Sequence, residues 1–290
     1  MRSNRPGATA ILKPVQHAVD PSVGVIHLRS VALPAADRDS GFPFSVPTIS
    51  TLPGIQFESP VTFFVGENGS GKSTLLESLA IATRLPAVAA SAPRDDETLA
   101  PQRKLAAALR LAWNHRTHKG FFLRAEDFFG FAKALSRSRD ELRQRLAELE
   151  VEYKDRSTLA RGLAQGPAHS SLAEMEKRYG ADLDANSHGQ AFFQLFRSRF
   201  VPDGLYLLDE PETPLSPLSQ LALITMLKDM VSQDAQFIIA THSPILLALP
   251  GARILDFDAR PVSWAPYEDL EHVRLTREFL ADPERFLRRL

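Results

Sequence analysis

The chain has 290 residues, 44% hydrophobic and 24% charged, enough apolar material for a sizeable core in one large domain or two small ones. Its formal net charge is −1 and its pI is near 6.7, so no bulk field draws it to nucleic acid or an anionic membrane. Cysteine is absent, which rules out disulfides and thiolate metal sites; with no apolar run near the roughly 18 residues of a membrane span, and no apolar core in "MRSNRPGATAILKPVQHAVD", the sequence reads as soluble and cytoplasmic, with no intrinsic membrane segment.

Residues 1–24 scatter Pro and Gly without periodicity and read as a flexible N-terminal tail. "VGVIHLRSVAL" (23–33) has the composition of a strand, and "GIQFESP" that of a second strand or hairpin arm after the prolines of "SGFPFSVPTIST". "VTFFV" (61–65) is continuously apolar and ends at glycine, the pattern of a strand buried on both faces. A helix is expected from Lys72 until Pro86, then a Pro/Ala/Asp-rich loop to Pro101. From Gln102 to about Arg178 the pattern reads as mostly helical, with Leu142, Leu146, Leu149 and Tyr153 on one amphipathic face; this makes 86–180 a helical insert. After "GPAHSS" and "DANSHG" the chain alternates again. "GLYLLDE" reads as a buried strand, "SPLSQLALITMLKDMVS" as a helix, "AQFIIATHS" and "ARILDFD" as strands, and "DPERFLRRL" as a helix capped by Asp282 with Pro283 at its first position. Strands alternating with helices predict an α/β fold with a mostly parallel sheet.

Gly66 to Ser73, "GENGSGKS", fits the phosphate-loop pattern G-x-x-x-x-G-K-[ST] in full. Gly66, Gly69 and Gly71 let the backbone turn tightly, so that N–H groups from Asn68 to Ser70 point at phosphate oxygens, and the following helix adds its positive end. Lys72 would reach the β- and γ-phosphates, Ser73 would be a Mg²⁺ ligand, and Thr74 would help at the α-phosphate. "LYLLDEPE" (205–212) puts two carboxylates after an apolar strand: Asp209 would hold Mg²⁺ through water, and Glu210 would act as general base on the attacking water. Alone, this would read equally well as a solvated acidic turn. His242 ends "QFIIA" in "ATHSP", one strand–helix–strand step after Asp209, which brings it to the same sheet edge to bond a γ-phosphate. A histidine in isolation is more often structural.

Three motifs in this order resemble those of an ABC-type ATPase, here over 25–290, with a P-loop NTPase fold, an antiparallel N-terminal β part and a helical insert. "SHGQ" (187–190) resembles a degenerate "LSGGQ" signature; the resemblance implies that Ser187, Gly189 and Gln190 of one subunit bind the γ-phosphate held by its partner, while His188 departs from a small glycine. "PETPLS" stands where the family's dimer-contacting D-loop does, with Ser216 near the two-fold interface. The chain is more closely similar to small stand-alone bacterial ATPases related to the Rad50, SMC and RecF group, through "GFFLRAEDFF", "SHGQAFFQLFRSRF", "GLYLLDEPETPLSP", "QFIIATHSPILLALPGARI" and the C-terminal "YEDLEHVRLTREFLADPERFLRRL". That resemblance implies a glutamine after the second sheet strand, for which Glu126 is the nearby candidate, and an aromatic on adenine, for which Phe42 and Phe44 stand upstream. No guanine-reading motif is present, which favours ATP.

The expectation is therefore an enzyme with ATP and Mg²⁺ as ligands, working as an ATP-dependent homodimer. Its role reads as DNA-associated or genome-maintenance, as energy coupling for a membrane transporter, or as a nucleotide-gated interaction module of a defence or toxin system with a further protein partner. Arg103, Lys104, Arg110, His115, Arg116, His118, Lys119 and Arg124 form a locally basic stretch that could track a DNA backbone or be a solvated helical face.

Overall fold

The computed structural model describes residues 24–34, 41–52, 54–88, 99–179 and 188–288. The tail expected at 1–24 lies outside them apart from Gly24, as do 89–98 of the expected loop. In chain order the elements are β1 (Leu28–Ala32), α1 (Pro47–Ser50), β2 (Ile55–Gln56), β3 (Val61–Val65), α2 (Lys72–Thr83), α3 (Ala100–Ala108), β4 (Arg110–Trp113), β5 (Gly120–Arg124), α4 (Ala125–Glu152) and α5 (Thr158–Tyr179). There follow α6 (His188–Arg199), β6 (Leu205–Asp209), α7 (Pro217–Val231), β7 (Gln236–Ala240), α8 (Pro244–Leu247), β8 (Arg253–Asp256), β9 (Ser263–Trp264), α9 (Glu271–Ala281) and α10 (Pro283–Leu287). Among the described residues no helix is long and apolar enough to cross a membrane.

The main sheet has the order β5-β6-β7-β3-β8-β9; its first five strands run parallel and β9 closes one edge antiparallel. A second, antiparallel sheet has the order β2-β1-β4. The continuously apolar strands are buried on both faces because each feeds two hydrophobic layers, as parallel strands under helices must. Phe63, Tyr206, Leu208, Phe237 and Ile239 meet Phe192, Leu195 and Phe196 of α6 and Leu223 and Leu227 of α7. Phe64, Leu205, Leu207 and Ile238 meet Leu75, Leu76 and Leu79 of α2 and Leu28 and Val31 of β1. Gln236, fully buried, joins the two sheets: its Nε2 donates to Leu28 O at 3.0 Å and its Oε1 accepts from Leu28 N at 2.8 Å. Asp282 caps α10 as its position predicts, accepting from Arg285 N.

The stretch from Gln102 to about Arg178 is mostly helical, as read, with β4 and β5 interrupting it between α3 and α4. β4 is held by β1 and β5 by β6, partners distant in the chain that override the local helical composition. Pro167 of "GPAHSS" lies inside α5, which packs along α4. The basic stretch is accordingly not one helix face; Arg103 and Lys104 lie on α3, Arg110 on β4 and Arg124 at the end of β5.

β5 enters the sheet through a glycine for a specific reason. Gly120 has φ of 117°, and a Cβ there would stand 1.8 Å from the Leu205 carbonyl oxygen across the β5–β6 pair. Gly120→Ala is expected to cost more than about 3 kcal/mol or to prevent folding, as measured by chemical denaturation. A loss below about 1 kcal/mol would show that β5 can shift away from β6 at no cost.

Candidate functional site

All five parallel strands end at one edge of the sheet, where open α/β folds place ligands. The loop leaving β3 is shaped by Gly66, Gly69 and Gly71, with φ of 150°, 82° and 101°. Gly71 is the N-cap of α2 and contributes no side-chain acceptor, so the first N–H groups of the helix stay available to an anion. Asn68 and Gly69 are exposed at the loop tip; Ser70 and Thr74 are half-buried. Thr48 donates its hydroxyl to Ser70 O, and α1 packs so closely that a Cβ on Gly71 would lie 2.7 Å from Thr48 Oγ1.

Lys72 is buried, and its Nζ donates to Gly66 O at 2.5 Å, Glu67 O at 2.9 Å and Ser70 Oγ at 3.5 Å. Burial lowers its pKa, against the opposing pull of Asp209, Asp258, Glu210 and Glu212. A cation whose hydrogen-bond partners among the described residues are neutral oxygens fits a polyanion, which would supply the charges it lacks.

Ser73 donates its hydroxyl to Asp209 Oδ1 at 3.2 Å. Asp209 ends β6 and is pushed up to about 7, chiefly by burial, with the Ser73 hydrogen bond pulling the other way. This hydroxyl–carboxylate pair is an all-oxygen donor set suited to a hard divalent cation. Glu210, the next residue, has φ of 49°, left-handed for a side chain that disfavours it. Its amide donates to Ala240 O at 2.9 Å, and its carboxylate is 44% exposed, with Oε1 3.8 Å from His242 Nε2. That nitrogen is shielded from solvent and has no hydrogen-bond partner among the described residues. Burial lowers the pKa of His242, with nearby Lys72 acting in the same direction and Glu210 opposing, so the ring is held neutral. The sheet thus brings Lys72, Ser73, Asp209, Glu210 and His242 to one edge.

Of the residues expected to act across a dimer, Ser187 lies outside the described residues, while Gly189 and Gln190 fall in the first turn of α6. Ser216 caps α7, accepting from Ser219 N at 3.3 Å. Phe44 is buried in the core under the antiparallel sheet, whereas Phe42 is 53% exposed. Glu126 is 74% exposed and paired with Arg124.

Several residues at this edge carry no sequence signal because their contacts are distant. Glu212 Oε1 accepts the His242 amide at 2.8 Å and fixes the histidine loop; its pKa is raised by burial. Both carboxylate oxygens of Asp258 accept the Glu67 amide, at 2.8 and 3.0 Å, bracing the loop across 191 positions of sequence. His272 on α9 sits within electrostatic range of Asp256, Asp258 and Lys72, and burial lowers its pKa. Glu77, on the Ser73 side of α2, accepts from Gln102 Nε2 at 2.8 Å and pairs with Arg124 at 3.3 Å; burial raises its pKa.

Two family models match the sequence: one described as "AAA domain" over residues 50–85, and one described as "AAA domain, putative AbiEii toxin, Type IV TA system" over 123–248. No curated protein matches it. Among solved structures, the SMC head domain from Thermotoga maritima is 14% identical, with 83% of this chain and 99% of that one covered at a TM-score of 0.38. The Pyrococcus furiosus Smc head domain bound to the C-terminal domain of ScpA is 12% identical, covering 78% and 94% at 0.36. CbiO1 of Clostridium perfringens, part of the ABC transporter complex cbiONQ, is 14% identical, covering 82% and 91% at 0.36. The segment matched by the first model contains the phosphate loop, and that matched by the second contains Asp209, Glu210 and His242, so the residues gathered at this edge lie within the two stretches similar to AAA domains.

Proposed function

We infer that the chain binds ATP with Mg²⁺ and hydrolyses it, as an ATP-driven homodimer switch. What supports this is the convergence of Lys72, Ser73, Asp209, Glu210 and His242 at one sheet edge, with Ser73 and Asp209 3.2 Å apart and Glu210 and His242 3.8 Å apart. In this reading the loop amides from Asn68 to Ser73 and Lys72 hold the phosphates, and Thr74 adds a hydroxyl. Ser73 and Asp209 hold Mg²⁺, which would supply charge neutralisation at the phosphates. Glu210 takes a proton from the water that attacks the terminal phosphorus as the bond to the leaving ADP oxygen breaks. Neutral His242 donates to a terminal phosphate oxygen from the nitrogen that now lacks a partner. Ser187, Gly189 and Gln190 of a second copy complete the site. The test is phosphate release from ATP by the purified protein with Mg²⁺ and with chelator; no Mg²⁺-dependent release would overturn hydrolysis.

The Asp209 shift adds a pH dependence. A carboxyl raised to about 7 is neutral in the folded protein below that value and ionised above it, and a divalent cation selects the ionised form. Binding of Mg·ATP is therefore expected to release about half a proton near pH 7, close to one near pH 5.5 and none near pH 9. Calorimetry in buffers of different ionisation enthalpy measures this. Proton release that is zero at all three pH values would remove Asp209 from the cation site.

A second reading, a nucleotide-gated module of a toxin–antitoxin or defence system, is favoured by the printed description of the family matched over 123–248. Tight ATP binding with negligible turnover supports that reading against a freely cycling ATPase. DNA remains a partner class to be tested by adding it to the same turnover assay at low salt.

A further inference from the structure

Arg124 ends β5, the strand beside β6, and stands in register with Asp209. Its side chain is 15% exposed and lines a 380 Å³ cavity with Ser73, Glu77, Glu126, Asp209 and Glu210. Four of these neighbours are carboxylates, and Arg124 is the one cation of the lining among the described residues. The guanidinium is held by Glu77 and Glu126, each 3.3 Å from Nη1, and by Asp127, 3.2 Å from Nε. Glu126 is a weak tether because it is 74% exposed and solvent screens the pair. Glu77 is a firm one, buried on α2 one turn beyond Ser73. Beside Glu126, the candidate for the amide position, the cavity is faced next to Asp209 by a fixed positive charge with a planar fork of donors.

The geometry points to Arg124 as the group that contacts the terminal phosphate of the nucleotide from within the same chain. This inference rests on the reading of the site as one for Mg·ATP. Lys72 lies among the loop carbonyls on one side, and Arg124 lies on the other, beside the Ser73–Asp209 pair. A polyphosphate brought against four carboxylates needs a counter-charge at its far end, and Arg124 provides it. The fork can keep Glu77 through one edge and exchange the exposed Glu126 for phosphate oxygens. A diphosphate does not reach this end of the cavity, so Arg124 separates the two nucleotides.

The experiment measures ATP and ADP affinity and turnover for the wild type, Arg124→Ala, Arg124→Lys and the double variant Arg124→Ala/Glu77→Gln. In Arg124→Ala, ATP affinity is expected to fall about tenfold with ADP affinity unchanged within about twofold, and turnover to fall about 30- to 100-fold. Arg124→Lys recovers only part of the turnover, because an ammonium cannot serve carboxylate and phosphate together. Were Arg124 needed only to neutralise Glu77, both nucleotides would lose affinity equally and the double variant would restore turnover; either result overturns the proposal. If Arg124→Ala does not fold, an Arg124→Lys protein with an unchanged ATP-to-ADP affinity ratio and unchanged turnover overturns it. A wild type that binds no ATP, or Lys72→Ala that binds it as the wild type does, overturns the parent reading instead.

Discussion

Replacing Glu210 with glutamine is expected to lower turnover by about 100- to 1000-fold while ATP binding is retained or tightened. Glutamine keeps the shape and a donor–acceptor end but cannot accept the proton of the attacking water. The left-handed backbone at this position, φ 49°, depends on the turn beyond β6 and on the Glu210 amide bonded to Ala240 O, neither of which the substitution touches. Binding gains because a carboxylate facing the phosphates disappears. Steady-state phosphate release, ATP retention on a desalting column and sedimentation of the loaded variant measure the three consequences. Turnover equal to that of the wild type would move the base elsewhere. A monomer at saturating ATP would remove the two-subunit sandwich, leaving Ser187, Gly189 and Gln190 without a role in trans.

The second large effect is on binding. Lys72→Ala is expected to weaken ATP binding at least about 100-fold, since two charge-assisted contacts are worth roughly 3–5 kcal/mol together. The fold should survive. The ammonium is buried, and removing it loses bonds to three loop oxygens but also relieves the desolvation that lowers its pKa. The melting temperature without nucleotide should therefore stay within a few degrees, while the shift produced by Mg·ATP in the wild type disappears. Titration calorimetry paired with melting separates the outcomes. An affinity within about threefold of the wild type would overturn the phosphate-loop assignment.

Why some of this was legible in the sequence and some was not follows from where each partner lies. β3, β6 and β7 announce themselves because a strand covered on both faces must be apolar throughout, and the glycines of the phosphate loop and Lys72 are adjacent in the chain. β4 and β5 do not, because "RLAW" and "GFFLR" owe their state to β1 and β6. Pro167 does not break α5, because packing along α4 keeps the helix going. At the site, Asp209, Glu210 and His242 were found from strand ends and spacing. The Arg124–Glu77–Gln102 group, the Glu212 hold on the His242 amide and the Asp258 brace on Glu67 were not, because each depends on a contact between separated segments. Glu126 is the candidate that residue type suggests; that Arg124 stands in register with Asp209 follows only from the pairing of β5 with β6.

The junction at Arg124 has a mechanical consequence. α4 starts at the very next residue and runs 28 residues without interruption before turning back into α5, a rod of roughly 42 Å at 1.5 Å per residue. Its pivot is thus the residue facing the cavity, and the tip of the hairpin carries Val151 at the end of α4 and Leu159 and Leu163 at the start of α5, each more than two-thirds exposed. A tilt of about 5° at the pivot, small enough to keep the strand pairing of β5, sweeps that apolar end through roughly 4 Å. Displacements too small to see at the sheet edge would be read most easily at the tip of the hairpin.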